Sequence, residues 1–111
     1  MIVQLPQASS DYPDLTARQH YVVIGIEAND FRLLNDRGKP YLYPHEIFEV
    51  IDFHEPSDWI SGIGSDGERY AYPAVLNEPG FFEDFFDGDN QTIVTFWRVV
   101  NQRLALTAHT P

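Results

Sequence analysis

Three features of the sequence predict an α+β fold that is mainly β. Short runs of β-branched and aromatic residues fill the first two thirds of the chain, and clusters of Gly, Pro, Asn and Asp separate them. Beyond Asn77 the apolar residues recur at helical spacing instead. The expected architecture is a small antiparallel barrel or curled sheet, followed by a hairpin and one or two C-terminal helices. A length of 111 residues suits one domain, since domains cluster at about 100–150 residues. Within a single domain over 1–111, residues 1–14 read as an N-terminal strand and arm, 15–76 as barrel and hairpin, and 77–111 as the helical part.

Met1–Leu5 reads as a short strand, and Pro6–Asp14 as a turn-rich arm. His20–Glu27 holds Tyr21, Val22, Val23, Ile24 and Ile26 and reads as a buried strand. Ala28-Asn29-Asp30 connects it tightly to Phe31–Leu34, and Asn35-Asp36-Arg37-Gly38 is a turn before a strand over Lys39–Tyr43. Pro44-His45-Glu46 is a bend, with room for one 3₁₀ turn, before a fourth strand over Ile47–Ile51. Trp59–Ile63 and Glu68–Tyr72 form a hairpin around Ser65-Asp66-Gly67, closed by Pro73. Asn77 is expected to cap a short helix with Pro79 in its first turn, running through Gly80–Phe86 and ending at Gly88. Asp89 caps a last helix to about Thr107, with Ile93, Phe96, Trp97, Val100 and Leu104 on one face. Thr92, Ile93, Val94, Val99 and Val100 would suit a strand equally.

The stretch Leu15–Asp52 resembles the Src-homology-3-like small β-barrels of bacterial and phage proteins. The carriers are Tyr21-Val22-Val23-Ile24, Phe31-Arg32-Leu33-Leu34-Asn35-Asp36, Gly38-Lys39-Pro40-Tyr41-Leu42-Tyr43-Pro44 and Ile47-Phe48-Glu49-Val50-Ile51, with Pro44-His45-Glu46 at the bend before the closing strand. The resemblance implies a barrel rather than an activity. The groove residues of the eukaryotic peptide-binding members have no position-by-position match here, so their ligand class is not implied.

The formal charge of −10 argues against nucleic acid and anionic membranes as partners. It is also unevenly placed. Residues 1–45 carry 5 acids and 4 bases, residues 46–89 carry 12 acids and one base, Arg69, and residues 90–111 carry two arginines and no acid. The absence of cysteine excludes disulfides, thiolate metal sites and thiol nucleophiles. Met1–Gln7 lacks the basic opening and long apolar stretch of a secretory signal, so a cytoplasmic location is expected. No window approaches the roughly 20 apolar residues of a membrane span.

Chemistry-bearing motifs fail on inspection. Gly62-Ile63-Gly64-Ser65-Asp66-Gly67 has G-x-G-x-x-G spacing, but an alternating segment stopped by Pro73 follows it. A phosphate cradle needs a helix N-terminus there, so this is a glycine-rich hairpin turn. Glu83–Asp89 gathers four carboxylates, yet Phe86, Gly88, Gln91 and Arg98 fall where calcium-loop ligands would be required. His20, His45, His54 and His109 show no metal-ligand spacing. No cofactor and no metal are expected.

What remains is the acidic middle, whose 12 acids are interleaved with nine aromatics. Most of these aromatics suit a core. Some are expected at the surface, where aromatic anchors ringed by carboxylates would receive a basic protein partner. The candidate partner-binding residues are Tyr70, Tyr72, Phe82, Glu83, Asp84, Phe86 and Asp87. The function expected is a non-catalytic protein-binding module, of the type of bacterial immunity proteins that mask a toxin's basic cleft. Two alternatives stand beside it: a small acid–base enzyme using His45 or His54 with a carboxylate, and an accessory protein of a phage or mobile element.

Overall fold

A computed structural model describes the backbone of residues 1–108 and the side chains of residues 1–105. Among these residues seven strands form one antiparallel sheet: β1 (Ile2–Gln4), β2 (His20–Glu27), β3 (Asp30–Leu34), β4 (Pro40–Tyr43), β5 (Glu49–Asp52), β6 (Trp59–Ile63) and β7 (Arg69–Pro73). Two helices follow, α1 (Phe81–Phe86) and α2 (Asn90–Ala108). The expected mainly β α+β class, a curled sheet followed by a hairpin and C-terminal helices, is what the chain adopts. The chain divides into two compact units, the first Met1–Pro73 and the second starting at Ala74.

Strand order is β4-β3-β2-β1-β5, with β7 also on β2 and β6 outside β7. The length of β2 makes this possible. Its start, His20–Val22, pairs with β1, while Ile26 and Glu27 pair with β7 on the same edge. Its other edge carries β3, joined by a two-residue turn in which Ala28 (φ 52°) and Asn29 (φ 71°) are both left-handed. That is the type I′ geometry whose twist matches a hairpin.

The core of the first unit comprises Val3, Leu5, Leu15, Tyr21, Val23, Ile26, Phe31, Leu33, Tyr43 and Ala71. Strict alternation along β2 would send Val23 and Ile26 to opposite faces. The register shifts between Val23 and Gly25, and this bulge restores Ile26 to the core side. The opposite face then carries Gly25, Glu27, Arg32, Tyr70 and Tyr72, by their cross-strand pairing.

The fourth expected strand starts later than its sequence suggests. His45–Ile47 is a 3₁₀ turn, held by Ile47 N–H to Pro44 O and Phe48 N–H to His45 O. Phe48 then turns inward onto Phe31, ring centroids 6.1 Å apart, and β5 begins at Glu49.

The expected cap at Asn77 is corrected. Ala74–Asn77 is a 3₁₀ turn and α1 begins only at Phe81. Glu78-Pro79-Gly80-Phe81 makes a type II turn instead, with Gly80 at φ 78°, ψ 5° and Phe81 N–H bonded to Glu78 O at 3.1 Å. Proline followed by glycine prefers this turn to a helix start. The other end of α1 is as expected: Gly88 N–H reaches Phe85 O and Asp89 N–H reaches Asp84 O, a Schellman closure. Asp89 at once caps α2, its Oδ2 accepting from Thr92 N–H at 2.9 Å and Thr92 Oγ1 at 2.6 Å. This cap selects helix over strand for the ambiguous stretch after Asn90. Within the second unit Phe96 is fully buried, with the Phe82 and Phe85 rings 6.1 and 4.7 Å away.

Candidate functional site

The expected partner-binding residues fall on both compact units, two on β7 and five on or just after α1. Tyr70 and Tyr72 alternate along β7 and do share a face, but their surroundings differ. Tyr70 is half-buried, and its hydroxyl donates to Asp66 Oδ2 at 3.3 Å. Tyr72 is only 4% exposed. Its ring lies across Gly25, where a Cβ would come within 2.2 Å of it. Its hydroxyl accepts from Arg32 Nε at 2.7 Å and donates to Glu27 Oε2 at 2.8 Å. Arg32 completes the group by pairing with Glu27 at 3.0 Å and donating to Pro40 O at 2.6 Å. Burial raises the Tyr72 phenol above its ordinary range despite the nearby guanidinium. Tyr72 is therefore a structural polar anchor and offers no contact surface.

On α1 the outcome is also mixed. Phe82 is half-buried against Phe96. Phe86 is 49% exposed, and Glu83, Asp84 and Asp87 all face solvent. Glu83 and Asp84 lie in the first turn, where the helix dipole favours carboxylates. No cation among the described residues lies within ion-pair distance of these three acids.

The first unit holds exposed apolar residues that the sequence did not single out. Phe53 is 75% exposed, Ile63 71% and Ile60 51%. All three lie in the acid-rich stretch, on and just before the β6–β7 hairpin. Beside the turn of that hairpin Arg69 grips Glu55 through both terminal guanidinium nitrogens, at 2.7 and 2.5 Å, and Arg69 Nε donates to Ser61 Oγ at 3.1 Å. The guanidinium holds the Glu55 carboxyl below the usual carboxylate range. The glycine-rich turn itself closes with Gly64 N–H on Glu68 O at 2.8 Å, as a hairpin turn should.

A second constellation missed by the sequence reading ties the long arm between β1 and β2 to the β3–β4 turn. Tyr43 OH donates to Asp14 Oδ2 at 2.5 Å, and Asn35 Nδ2 donates to the same oxygen at 3.1 Å. Tyr21 OH donates to Asp36 Oδ1 at 2.7 Å, and Thr16 Oγ1 donates to Asp36 Oδ2 at 2.6 Å. Burial is the first cause that raises both phenols. This arm and the 3₁₀ turn border a cleft of about 300 Å³ lined by Leu5, Pro6, Gln7, Ala8, Ser9, Tyr12 and Ile47. No acid lines it.

His45 and His54 are exposed, and neither ring enters a hydrogen bond or ion pair among the described residues. His109 lies outside the described residues. Among the described residues no three of His, Cys, Asp and Glu gather to hold a metal ion, and no helix is long and apolar enough to cross a membrane. No protein-family profile, curated protein or solved structure matches the chain.

Proposed function

We propose that the protein is a binding module for a basic protein partner, which it meets through exposed apolar side chains set among carboxylates. The carrying observation is that Phe53, Ile60, Ile63 and Phe86 stand in solvent within residues 46–89, where 12 acids face a single arginine. Apolar anchors supply contact energy, and the acids steer a positively charged partner toward them. Within the expected site the weight falls on Glu83, Asp84, Phe86 and Asp87, while Tyr72 is withdrawn.

The finer reading is an immunity-type module that neutralises a toxin by covering its basic cleft. An SH3-like barrel is proposed for the first unit. The strand order β4-β3-β2-β1-β5 and the 3₁₀ turn between β4 and β5 support it.

Capture from lysate of the source cells at low salt, with association rates followed by surface plasmon resonance, tests this reading. The captured partner is expected to be basic, and its association rate to fall steeply as salt rises. Triple charge reversal, Glu83→Lys, Asp84→Lys and Asp87→Lys, is expected to slow association by about tenfold or more. Rates indifferent to salt and to the reversal would sink the proposal.

A further inference from the structure

The sheet has three edges, and they differ in how they are closed to other strands. β4 opens on Pro40, which has no N–H to offer. β5 carries Glu49 and Asp52, and its register against β1 shifts. β6, Trp59-Ile60-Ser61-Gly62-Ile63, holds neither charge nor proline, and among the described residues it pairs only with β7. Natural edges are normally blunted by charge, proline or a bulge, because a row of unpaired N–H and C=O groups is a template for another strand. β6 has none of these devices.

The direction of its outer backbone groups follows from the hairpin. Gly64 N–H bonds Glu68 O, and the register runs without a shift through Gly62↔Tyr70 and Ile60↔Tyr72. Alternation along an antiparallel ladder places the inward bonds at these residues. Ser61 and Ile63 therefore turn N–H and C=O away from β7. Beside this edge Ile60 and Ile63 are exposed, and a Cβ built on Gly62 meets nothing within 4 Å. Gly62 thus leaves an open slot on the face it shares with Ile60 and Tyr70.

We infer that β6 is a strand-addition site that takes an extended apolar segment of the basic partner, flanked by Lys or Arg. The inference rests on the binding-module reading and adds where and how the partner is held. The added strand would bond to Ser61 and Ile63, and a side chain would enter the slot above Gly62. The flanking charge follows from Asp66 within the hairpin turn and Glu68 at its end, with Arg69 already engaged by Glu55. Charge also disfavours a second copy as the occupant. Edge-to-edge pairing would set residues 46–89 of one chain, net −11, against the same residues of another.

The test uses two synthetic peptides of about six alternating Val and Thr residues, one flanked by lysines and the other by glutamates. Backbone amide hydrogen exchange of the whole protein is the readout. The lysine-flanked peptide is expected to slow exchange at Ser61 and Ile63, and the glutamate-flanked one to leave it unchanged. Ser61→Pro removes an outward N–H that no ladder bond uses, and is expected to weaken peptide binding by about tenfold. Ile63→Lys is expected to do the same, and it decides the matter if the proline variant fails to fold. Equal protection by both peptides overturns the inference. So does protection at α1 or at the Tyr12–Ile47 cleft, concentration-dependent protection without peptide, or none at all. If capture of the natural partner still depends on salt and on the α1 acids, the binding-module reading survives that failure; if it does not, that reading falls too.

Discussion

At Gly25 a missing side chain lets the Tyr72 ring pack directly against the backbone, and its hydroxyl in turn reaches Arg32 and Glu27. Gly25→Ala would drive a methyl to 2.2 Å from Tyr72 Cδ1, with the ring held in place by its hydroxyl bonds. Such overpacking is expected to cost about 1–3 kcal/mol or more. Tyr72→Phe keeps the ring but leaves Arg32 Nε without its acceptor. Its expected cost is about 1–3 kcal/mol, and denaturant unfolding measures both variants. The phenols give a pH signature as well. Tyr21, Tyr43 and Tyr72 all have pKa values raised above the ordinary 10.0 by burial. A raised folded-state value favours folding below the unfolded pKa, and that contribution disappears as pH climbs toward the folded-state value. Thermal unfolding from about pH 9 to pH 12 is expected to show stability falling above pH 10. Flat stability across that range would contradict the hydrogen-bonded burial of these hydroxyls.

Among the elements, the junction of α1 and α2 shows local chemistry deciding structure. Gly88 takes φ 85° to close α1, and Asp89 supplies the side-chain cap of α2 in the next position. A Cβ at Gly88 would meet nothing within 4 Å, so Gly88→Ala tests backbone conformation alone. It is expected to destabilise by roughly 1–2 kcal/mol, the penalty of a left-handed L-residue. Asp89→Ala is expected to reduce helical circular dichroism by fraying the start of α2, and Asp89→Ser to restore it. These two positions were legible in the sequence because each acts locally, Gly88 through its left-handed backbone and Asp89 through a side chain that reaches only three residues along. The helix start at Asn77 was misread because Pro79-Gly80 satisfies two patterns. A proline in a first helical turn and a type II turn look alike until Gly80's positive φ separates them. The parity of β2 was illegible for a related reason. In Val23-Ile24-Gly25-Ile26 only the glycine hints at a bulge, and it also fits a close approach by another side chain; one extra residue exchanges the faces of everything after it.

Over the whole molecule the charge is the property with functional reach. A net −10 spread evenly would serve solubility, but residues 46–89 hold net −11 and the remainder is slightly positive. Partner binding is therefore expected to weaken as pH falls through the carboxylate range near about 4, even where the fold persists. Binding followed by titration calorimetry alongside circular dichroism separates these effects, and affinity independent of carboxylate ionisation would contradict electrostatic recognition. Two acids of the stretch have lowered pKa values, Glu55 beside the Arg69 guanidinium and Asp89 through its Thr92 hydrogen bonds. The stability contributed by the Arg69–Glu55 pair is present above the ordinary carboxylate range and is lost only as pH falls through the lowered Glu55 value.

The sequence by itself determined the class of fold, the order of the strands along the chain, the hairpin at Ser65–Gly67, the Asp89 cap and the acid-rich middle. Each rests on nearest-neighbour chemistry or on composition, which need no partner across space. Only the tertiary structure decided which aromatics in that middle are available. Tyr72 and Tyr70 sit two residues apart on one strand face, yet Tyr72 vanishes beneath a polar network with Arg32 and Glu27. Phe53, one of the aromatics that suit a core in the sequence, stands in solvent, as do Ile60 and Ile63 on β6. Burial depends on what the sheet brings over each residue, and on which strand ends as an edge. Those are long-range outcomes of pairing and register that no local pattern encodes.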